Sequence, residues 1–190
     1  MKGVDEMDKK QVRQQQIQQL TALAQIPVLK QAQSEQLYQQ LVASPLWQQA
    51  QRVALTYSQG IELDTRPVIQ QALAAGKQVY LPRVMPQRQM AFMPYEATTR
   101  LVKSKFGLQE PAFNEATAAT EFDLMLVPGL AFVPSHHLRL GFGGGYYDRF
   151  LAKYPQRTLS LVLPVQQFET VTWPVEPFDQ KVQIFLTIGK

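Results

Sequence analysis

The sequence predicts an α/β protein, built as a three-layer α/β/α sandwich around a mostly parallel sheet. Several short segments, among them TLSLVLP and VQIFLTIG, are apolar at successive positions, which is typical of strands buried on both faces. Segments with helical spacing separate these strands, and strands separated in this way run parallel. From residue 52 onward the pattern is strand, helix, strand, which is the repeating unit of this class.

Length and composition restrict the organisation of the chain. Its 190 residues, of which 45% are hydrophobic, have the size of one domain with a proper core, so we expect a single domain over residues 1–190. The sequence has no cysteine, which excludes a disulfide framework and a thiolate metal site. No apolar run approaches the roughly 18 residues of a membrane span and no leader is visible, so we expect a cytoplasmic protein without a membrane segment.

The charge balance favours an anionic partner. The net charge is +4 and the pI is about 9.3, which suits nucleic acid, phosphorylated small molecules or acidic ligands. The basic residues are scattered and do not alternate with aromatic residues, so we expect no nucleic acid partner.

The N-terminal region is rich in glutamine but is predicted to be helical. In KKQVRQQQIQQLTALAQ the apolar residues Ile17, Leu20 and Leu23 recur at helical spacing, and glutamine is a good helix former. We therefore expect an amphipathic helix with a solvated glutamine face. A second helix is predicted to begin with Ser34 as its N-cap and to end before Pro45.

The remaining elements follow in chain order. RVALTYS predicts a strand, DTRPVIQQALAA a helix that Gly76 ends, and KQVYLPRV the next strand. QMAFMPY is a shorter extended segment, and FDLMLVPGLAF predicts one buried strand over residues 123–132. TLSLVLP and VQIFLTIG are the last strands. His136 and His137 lie in a polar loop without metal-ligand spacing, and we expect them at the surface.

A glycine-rich loop in RLGFGGGYYDRFL, residues 139–151, is the most informative motif. It follows the strand predicted over residues 123–132, and in parallel sheets ligands bind beyond the carboxyl ends of the strands. The dinucleotide-binding pattern fails because Tyr146 replaces its third glycine, and the Walker-type phosphate loop fails because its lysine and hydroxyl are missing. Glycine amides, Arg139 and the N-terminus of a helix predicted from about Tyr146 to Lys153 together suit a phosphate group.

Two interpretations of this loop stay open from the residues alone. It is either a phosphate site or a glycine-rich turn, in which Tyr146 and Tyr147 are core aromatics and Asp148 complements the helix dipole. A carboxylate beside a phosphate repels it unless a cation lies between them. Asp148 in a phosphate site therefore indicates Mg²⁺.

The segments LVPGLAF and RLGFGGGYYDRFL together resemble the signature of the 5-formyltetrahydrofolate cyclo-ligase family. KKQVR, YSQGIELDT, VYLPRV, FGLQEP and PVEPFDQ occur in the order that the family has them, so the resemblance covers nearly the whole chain. It implies an enzyme that uses ATP and Mg²⁺ to convert 5-formyltetrahydrofolate into 5,10-methenyltetrahydrofolate, releasing ADP and phosphate. It also implies a fold of the sugar-phosphate-isomerase and CoA-transferase type, a reduced folate as the small-molecule partner, and a monomer or small oligomer.

The resemblance further implies roles for particular residues. ATP is expected to contact Lys9, Arg13, Arg139, Leu140, Gly141, Phe142, Gly143, Gly144, Gly145, Tyr146 and Tyr147. The folate is expected to contact Tyr57, Glu62, Phe142, Gly143, Gly144, Gly145 and Tyr146. The metal is expected to bind Asp148 and Asp179, and the catalytic residues are expected to be Arg139 and Tyr146.

Two other functions compete with this one. A phosphosugar isomerase of the same fold would need no ATP and would use a carboxylate base, for which Glu62 is a candidate. A non-catalytic module would dock a basic, glutamine-rich helical arm on nucleic acid, and its binding would weaken steeply with salt. Consumption of ATP separates the first alternative from the cyclo-ligase.

Overall fold

The computed structural model describes residues 7–104 and 106–189. Within these residues the helices are α1 (Lys9–Ala24), α2 (Pro27–Ala43), α3 (Pro45–Gln49), α4 (Arg66–Ala74) and α5 (Tyr146–Lys153). The strands are β1 (Arg52–Ala54), β2 (Gln78–Val84), β3 (Met90–Tyr95), β4 (Leu101–Lys103), β5 (Gln109–Pro111), β6 (Leu124–Leu126), β7 (Ala131–Val133), β8 (Leu138–Leu140), β9 (Thr158–Val162) and β10 (Ile184–Thr187).

The central sheet has six strands in the order β10-β9-β6-β1-β2-β3. Neighbouring strands from β10 to β2 are parallel, and β3 pairs antiparallel with β2 at one edge. The prediction of a mostly parallel sheet is therefore confirmed. The chain runs outward from β1 through β2 to β3 and then continues at β6, on the other side of β1. This change of direction opens a crevice beyond the carboxyl ends of β1 and β6.

Side chains alternate across the sheet and divide the core into two layers. Val53 and Leu55 belong to an apolar cluster with α1, α2, α3 and α4. Ala54, between them, belongs to a different cluster that includes Phe150 of α5. Because successive side chains of a strand point to opposite faces, the helices cover both faces of the sheet. The three-layer α/β/α arrangement is confirmed.

The buried face of α1 differs from the prediction at one position. Ile17 is 42% exposed, whereas Gln16 is buried together with the leucines of the helix. The Gln16 side chain donates hydrogen bonds of 3.0 Å to the backbone carbonyl groups of Leu130 and Val165. These two bonds offset the cost of burying an amide, which the spacing of apolar residues does not reveal.

The start of α2 also differs from the prediction. The helix begins at Pro27, so Ser34 is not its N-cap. Proline suits the first turn of a helix because its φ is already helical and its missing N–H is not needed there. The Ser34 hydroxyl donates a hydrogen bond of 2.8 Å to the Lys30 carbonyl group, one turn earlier in the same helix. The predicted end before Pro45 is confirmed, since α2 ends at Ala43.

Residues 123–132 form two strands and not the single strand that their apolar run predicts. β6 ends at Leu126, and the chain turns at Pro128 and Gly129 before β7 begins. Pro128 has no N–H to offer to a strand ladder, and a Cβ on Gly129 would lie 2.8 Å from the Phe132 ring. β7 and β8 form a separate antiparallel hairpin. The glycine-rich loop therefore follows β8 and not a strand of the central sheet.

The other elements agree with the sequence or differ in length. β1 is shorter than RVALTYS predicts, and Gly76, with a φ of +72°, follows the end of α4 as expected. α5 has the bounds that the sequence predicts. His136 and His137 are exposed, as expected. Of the helices in residues 7–104 and 106–189, none is both long and apolar enough to span a membrane.

Candidate active site

A cavity of about 1120 Å³ opens beyond the carboxyl ends of β1, β2 and β6. Its wall is made by the start of α1, the segment after β1, the loop between β8 and α5, the first turn of α5 and the segment before β10. All of the residues that the family resemblance assigns to ATP, folate or metal line this one cavity. The fold thus brings together residues that lie far apart in the sequence.

The glycine-rich loop presents bare backbone to the cavity. Gly143 and Gly145 have φ values of +98° and +67°, which residues other than glycine rarely adopt. A Cβ on Gly144 would lie 2.6 Å from the Tyr146 ring, so a side chain does not fit there either. The backbone N–H groups of residues 141–145 donate no hydrogen bond to any described residue. These donors are available to a ligand.

The N-terminus of α5 adds further donors at the same place. Its N-cap is Gly145, whose position offers no side chain to accept a hydrogen bond from the first turn. The N–H groups of that turn have no partner within the helix, and they carry the positive end of the helix dipole. An anion bound by the loop would therefore also lie close to the free N–H groups at the N-terminus of α5.

Arg139 links the end of β6 to α5. Its side chain is only 3% exposed; Nη1 donates to the Pro128 carbonyl group at 2.9 Å, and Nη2 lies 2.8 Å from Oδ1 of Asp148. Nε is buried and has no partner among the described residues. A buried N–H without an acceptor costs free energy, so a ligand that supplies an acceptor would recover it.

α1 contributes two cations to the cavity. The Asp8 carboxylate accepts a hydrogen bond of 2.7 Å from the Gln11 N–H in a capping box, which fixes where the helix begins. Lys9 and Arg13 are then one turn apart on the same face of α1. Lys9 Nζ lies 2.6 Å from Asp179 Oδ2, and Arg13 Nε donates to the Gly141 carbonyl group at 2.9 Å. Both cations therefore lie against segments that carry predicted site residues.

The two carboxylates that the resemblance assigns to a metal each use one oxygen. Oδ1 of Asp148 accepts from Arg139 and from the Gln180 N–H, and Oδ2 of Asp179 accepts from Lys9 and from the Glu176 N–H. The other oxygen of each carboxylate accepts no hydrogen bond from a described residue. The bond from Gln180 also brings the segment that carries Asp179 beside Asp148.

This donor set fits Mg²⁺ and not a metal held by protein ligands alone. Residues 7–104 and 106–189 contain no cluster of three or more side chains of the kind that ligate metals. Mg²⁺ is typically bound through one or two carboxylates, with phosphate oxygens and water completing its shell. The two carboxylate oxygens that accept no hydrogen bond from a described residue would meet the part of that requirement that falls to the protein.

Glu62 and Tyr57 lie in the loop that follows β1. Oε2 of Glu62 accepts a hydrogen bond of 3.0 Å from the Gln59 N–H. Burial raises the pKa of Glu62, while that hydrogen bond and the charge of Lys30 act in the opposite direction. Tyr57 is half-buried, with its ring partly packed against the core. This loop forms the cavity wall at the end of β1.

The two tyrosines of the loop occupy different environments. The Tyr147 hydroxyl is buried without a partner among the described residues, and burial raises its pKa. The Arg139 guanidinium lies 5.9 Å from the centroid of that ring. Tyr146 is half-buried, and its ring is 6.5 Å from the Phe106 ring in an edge-to-face arrangement. Tyr147 is thus largely part of the core, and Tyr146 lies closer to the mouth of the cavity.

Residues 5–188 match the model of the 5-formyltetrahydrofolate cyclo-ligase family. The chain belongs to this family. The 5-formyltetrahydrofolate cyclo-ligase of Haemophilus influenzae is 33% identical over 167 residues, which cover 82% of this chain and 89% of the relative. The protein of the same name from Escherichia coli strain K12 is 30% identical over 171 residues, which cover 86% of this chain and 92% of the relative.

Solved structures agree with this assignment to the cyclo-ligase family. The fold is similar to the NMR structure of Aquifex aeolicus 5,10-methenyltetrahydrofolate synthetase, with a TM-score of 0.79, 26% identity, and coverage of 95% of this chain and 90% of that one. A 5,10-methenyltetrahydrofolate synthetase from Mycoplasma pneumoniae shares the fold with a TM-score of 0.69 at 22% identity.

Two segments line the cavity with side chains that the sequence did not predict, although Asp179 in the second of them was predicted. The β4–β5 hairpin supplies Phe106, Leu108 and Glu110, and the segment before β10 supplies Phe178, whose ring lies 5.5 Å from Lys9 Nζ. Both segments, FGLQEP and PVEPFDQ, were recognisable in the sequence as pieces of the family pattern. Apart from Asp179, nothing in their composition indicated which residues face the cavity, and for the first segment this depends on how β5 packs against β2.

Proposed function

We propose that this chain converts 5-formyltetrahydrofolate into 5,10-methenyltetrahydrofolate in a reaction that consumes ATP, requires Mg²⁺ and releases ADP and phosphate. Its membership of the cyclo-ligase family supports the folate conversion. The observation that carries the use of ATP is the row of backbone N–H groups at residues 141–145, which have no partner among residues 7–104 and 106–189 and line the cavity. A polyphosphate is the ligand that such a row suits best.

The phosphates of ATP would lie between the loop and α1. The amides of the loop and the N-terminus of α5 would bind phosphate oxygens from one side. Lys9 and Arg13 would bind from the other side, each giving up its contact with Asp179 or with the Gly141 carbonyl group. Bare donors together with two cations offset the charge of a triphosphate without a catalytic nucleophile.

Asp148 and Asp179 would hold Mg²⁺ through the carboxylate oxygens that no described residue uses. When bound, the ion neutralises part of the charge that builds up on the phosphates during transfer. The carboxylates themselves keep Arg139 and Lys9 at the cavity, since each is the ion-pair partner of one of these cations. Arg139 and Lys9 thus each have a carboxylate partner before the ligands arrive, whereas Arg13 contacts the Gly141 carbonyl group.

The chemistry of the substrate explains why a phosphoryl group is useful. A formamide carbonyl is a poor electrophile because its nitrogen donates electrons into it, and its oxygen is a poor leaving group. In the proposed reaction the γ-phosphoryl group passes to the formyl oxygen. The N10 amine then attacks the formyl carbon and closes the ring. The C–O bond breaks with release of phosphate, and N10 loses its proton. The protein positions the reactants and stabilises charge, which needs no covalent intermediate.

Individual side chains have distinct roles in this scheme. Arg139 would stabilise the transferring phosphoryl group, using the N–H that is buried without a partner. Tyr146, at the mouth of the cavity, would contact the folate beside the reacting group. Tyr57 and Glu62 would form the folate wall at the end of β1, joined by residues 142–146. The whole chain would act as one catalytic domain on a small reduced folate.

The test is to mix the protein with 5-formyltetrahydrofolate and follow the near-ultraviolet band of the methenyl product. We expect the band to grow only when ATP and Mg²⁺ are both present, with one ADP released for each product molecule. A flat trace with folded protein and Mg-ATP would contradict the proposal. Growth of the band without ATP would contradict the phosphoryl-transfer scheme. The isomerase and nucleic-acid alternatives are not favoured, because the chain belongs to the cyclo-ligase family.

A further inference from the structure

Glu110 is a buried carboxyl group in the cavity wall that the proposed reaction leaves without a role. It lies in β5, and the residue is 3% exposed. Its Oε2 atom is buried and has no hydrogen-bond partner among the described residues. Burial raises the pKa of Glu110, while hydrogen bonds from the Val84 backbone and the Ser104 side chain and the charge of Arg83 act in the opposite direction. Buried polar atoms in native proteins are nearly always satisfied, so an unpartnered acceptor in the wall of the cavity suits a ligand that donates.

The position of Glu110 separates it from the phosphate end of the cavity. The carboxyl ends of three neighbouring strands meet here in the order β6, β1, β2. Pro128, which accepts from Arg139, follows β6, whereas Tyr57 follows β1 and Val84 ends β2. β5 lies beside β2, where Arg83 donates a hydrogen bond of 2.8 Å to the Pro111 carbonyl group. β5 belongs to a two-stranded sheet separate from the central sheet, so Glu110 lies on the β2 side of the cavity and Arg139 on the β6 side.

The surroundings of Glu110 select the chemistry of the ligand. Pro82, Val84, Met90 and Leu108 line the cavity and present apolar surface suited to a flat ring, and the polar residues Arg88 and Gln109 line it as well. A carboxyl oxygen repels phosphate and carboxylate groups but accepts hydrogen bonds from N–H groups. The edge of a pterin offers two parallel donors, the 2-amino group and N3–H, which match the two oxygens of one carboxylate. The edge of adenine offers one donor beside an acceptor, which matches a carboxylate less well.

We propose that Glu110 binds the pterin of 5-formyltetrahydrofolate by accepting hydrogen bonds from its 2-amino and N3–H groups. This inference rests on the proposed function. It places the folate across the ends of β1 and β2, with the pterin at Glu110 and the reacting formyl group toward the glycine-rich loop. Glu110 thus determines which heterocycle the enzyme accepts and how it is oriented for the reaction.

The test replaces Glu110 by glutamine, which keeps the size and removes one of the two acceptors. Glu110→Gln should weaken binding of 5-formyltetrahydrofolate by about 10- to 100-fold, the range expected when one hydrogen bond to a charged, buried carboxylate is lost. Binding of Mg-ATP should stay within about twofold of the wild type. Glu115→Gln, at an exposed position outside the cavity, is the matched control and should change neither affinity. Isothermal titration measures both affinities, and thermal unfolding verifies that each variant is folded.

A ligand without the 2-amino group supplies the second half of a double-mutant cycle. The wild type should bind 2-desamino-5-formyltetrahydrofolate at least tenfold more weakly than 5-formyltetrahydrofolate, whereas Glu110→Gln should distinguish the two ligands by less than about threefold. A merely structural role for Glu110 would lower both affinities equally and leave the ratio unchanged. Equal affinity of the wild type for the two ligands would overturn the inference even if Glu110→Gln did not fold.

The outcomes separate this inference from the proposed function. The pterin assignment would be overturned if Glu110→Gln bound 5-formyltetrahydrofolate as tightly as the wild type does, or if it lost affinity for Mg-ATP and not for the folate. Neither result would affect the proposed function, which depends on turnover by the wild type. Absence of wild-type turnover with 5-formyltetrahydrofolate and Mg-ATP would instead overturn the proposed function and, with it, the identity of the ligand at Glu110.

Discussion

Arg139 is held in place by the Pro128 carbonyl group and by Asp148, and one of its N–H groups remains without a described acceptor. Such an arrangement fixes the guanidinium before any ligand binds, which reduces the entropy that must be lost in the reaction. Because the side chain is buried, its charge acts through a medium less polar than water. Single substitutions at this group and at the carboxyl groups around it therefore have distinct expected effects.

Replacing Arg139 by alanine should lower the rate of methenyl formation strongly. A donor that meets transferring charge is worth on the order of 2 to 3 kcal/mol of transition-state stabilisation, so kcat/KM should fall by about two orders of magnitude. Steady-state kinetics with saturating Mg²⁺ measure this. Arg157→Ala, at an exposed position outside the cavity, is the control and should leave kcat/KM unchanged. An active Arg139→Ala variant would mean that the guanidinium only supports the fold.

Replacing Asp148 by asparagine should raise the Mg²⁺ concentration needed for activity. The amide keeps an acceptor for Arg139 but carries no charge for the metal, so we expect at least a tenfold fall in turnover at limiting Mg²⁺. Arg139 would also lose its ion-pair partner, which should lower the free energy of unfolding by about 1 to 3 kcal/mol. Rates as a function of Mg²⁺ concentration and chemical denaturation check the two effects. A variant with the Mg²⁺ dependence of the wild type would remove the metal assignment.

Replacing Glu62 by glutamine should change how stability depends on pH. Burial raises the pKa of Glu62 above its ordinary value of 4.5. At a pH between the pKa of Glu62 in the unfolded chain and its higher pKa in the native state, the native protein binds a proton that the unfolded chain has released. The wild type therefore loses stability as the pH rises through that window. Glu62→Gln should lose less of its free energy of unfolding over the same pH window, and urea unfolding at a series of pH values measures the difference between the two proteins. Parallel curves for the two proteins would show that Glu62 has an ordinary pKa.

At the scale of elements, the glycine-rich loop and α5 work as one unit. The loop ends in Gly145, which is also the N-cap of α5, so the amides of the loop and the first turn of the helix form one continuous surface. β8 positions the other end of the loop through Arg139 and Leu140. The conformation of the loop depends on positive φ values, and it is therefore sensitive to any side chain placed on it.

Replacing Gly143 by alanine should impair both stability and nucleotide binding. Its φ of +98° is strained for alanine, and a Cβ there would lie 3.4 Å from the Arg13 guanidinium. We expect a loss of about 1 to 2 kcal/mol in the free energy of unfolding and weaker Mg-ATP binding. Gly76→Ala is the matched control, because Gly76 has a φ of +72° but open space around it and lies outside the cavity. It should cost similar stability and leave ATP affinity intact.

If both glycine variants bound Mg-ATP as the wild type does, the loop would not be the phosphate site. If both lost affinity equally, the effect would come from general destabilisation. Denaturant unfolding and nucleotide titration on the same preparations separate these cases.

Local sequence patterns predicted some elements well and others poorly, for physical reasons. α5 was predicted with its bounds because glycine precedes it and charged residues mark its exposed face. The single strand predicted over residues 123–132 is wrong because an apolar run does not reveal that Pro128 and Gly129 end strand pairing. Ile17 was assigned to the buried face of α1, where Gln16 lies in its place, held by two carbonyl groups that only the fold brings near.

At the scale of the whole molecule, the alternation of apolar strands and helices was sufficient to predict the three layers and the parallel sheet. The cavity then follows from the topology, since the sheet changes direction between β1 and β6. The residues of the candidate site that were predicted lie in motifs that the family resemblance covers. Glu110 was missed because its place in the wall depends on β5 packing beside β2, a contact between segments with no shared local pattern.

The account as a whole depends on the backbone amides of residues 141–145 binding the phosphates of ATP. The most direct measurement is a titration of ¹⁵N-labelled protein with Mg-ATP, observed through the amide resonances of Gly141, Gly143, Gly144 and Gly145. We predict that these resonances shift saturably with Mg-ATP and far less with AMP, while the Gly76 resonance does not move. Saturable binding of Mg-ATP with the four loop resonances unchanged would contradict the account.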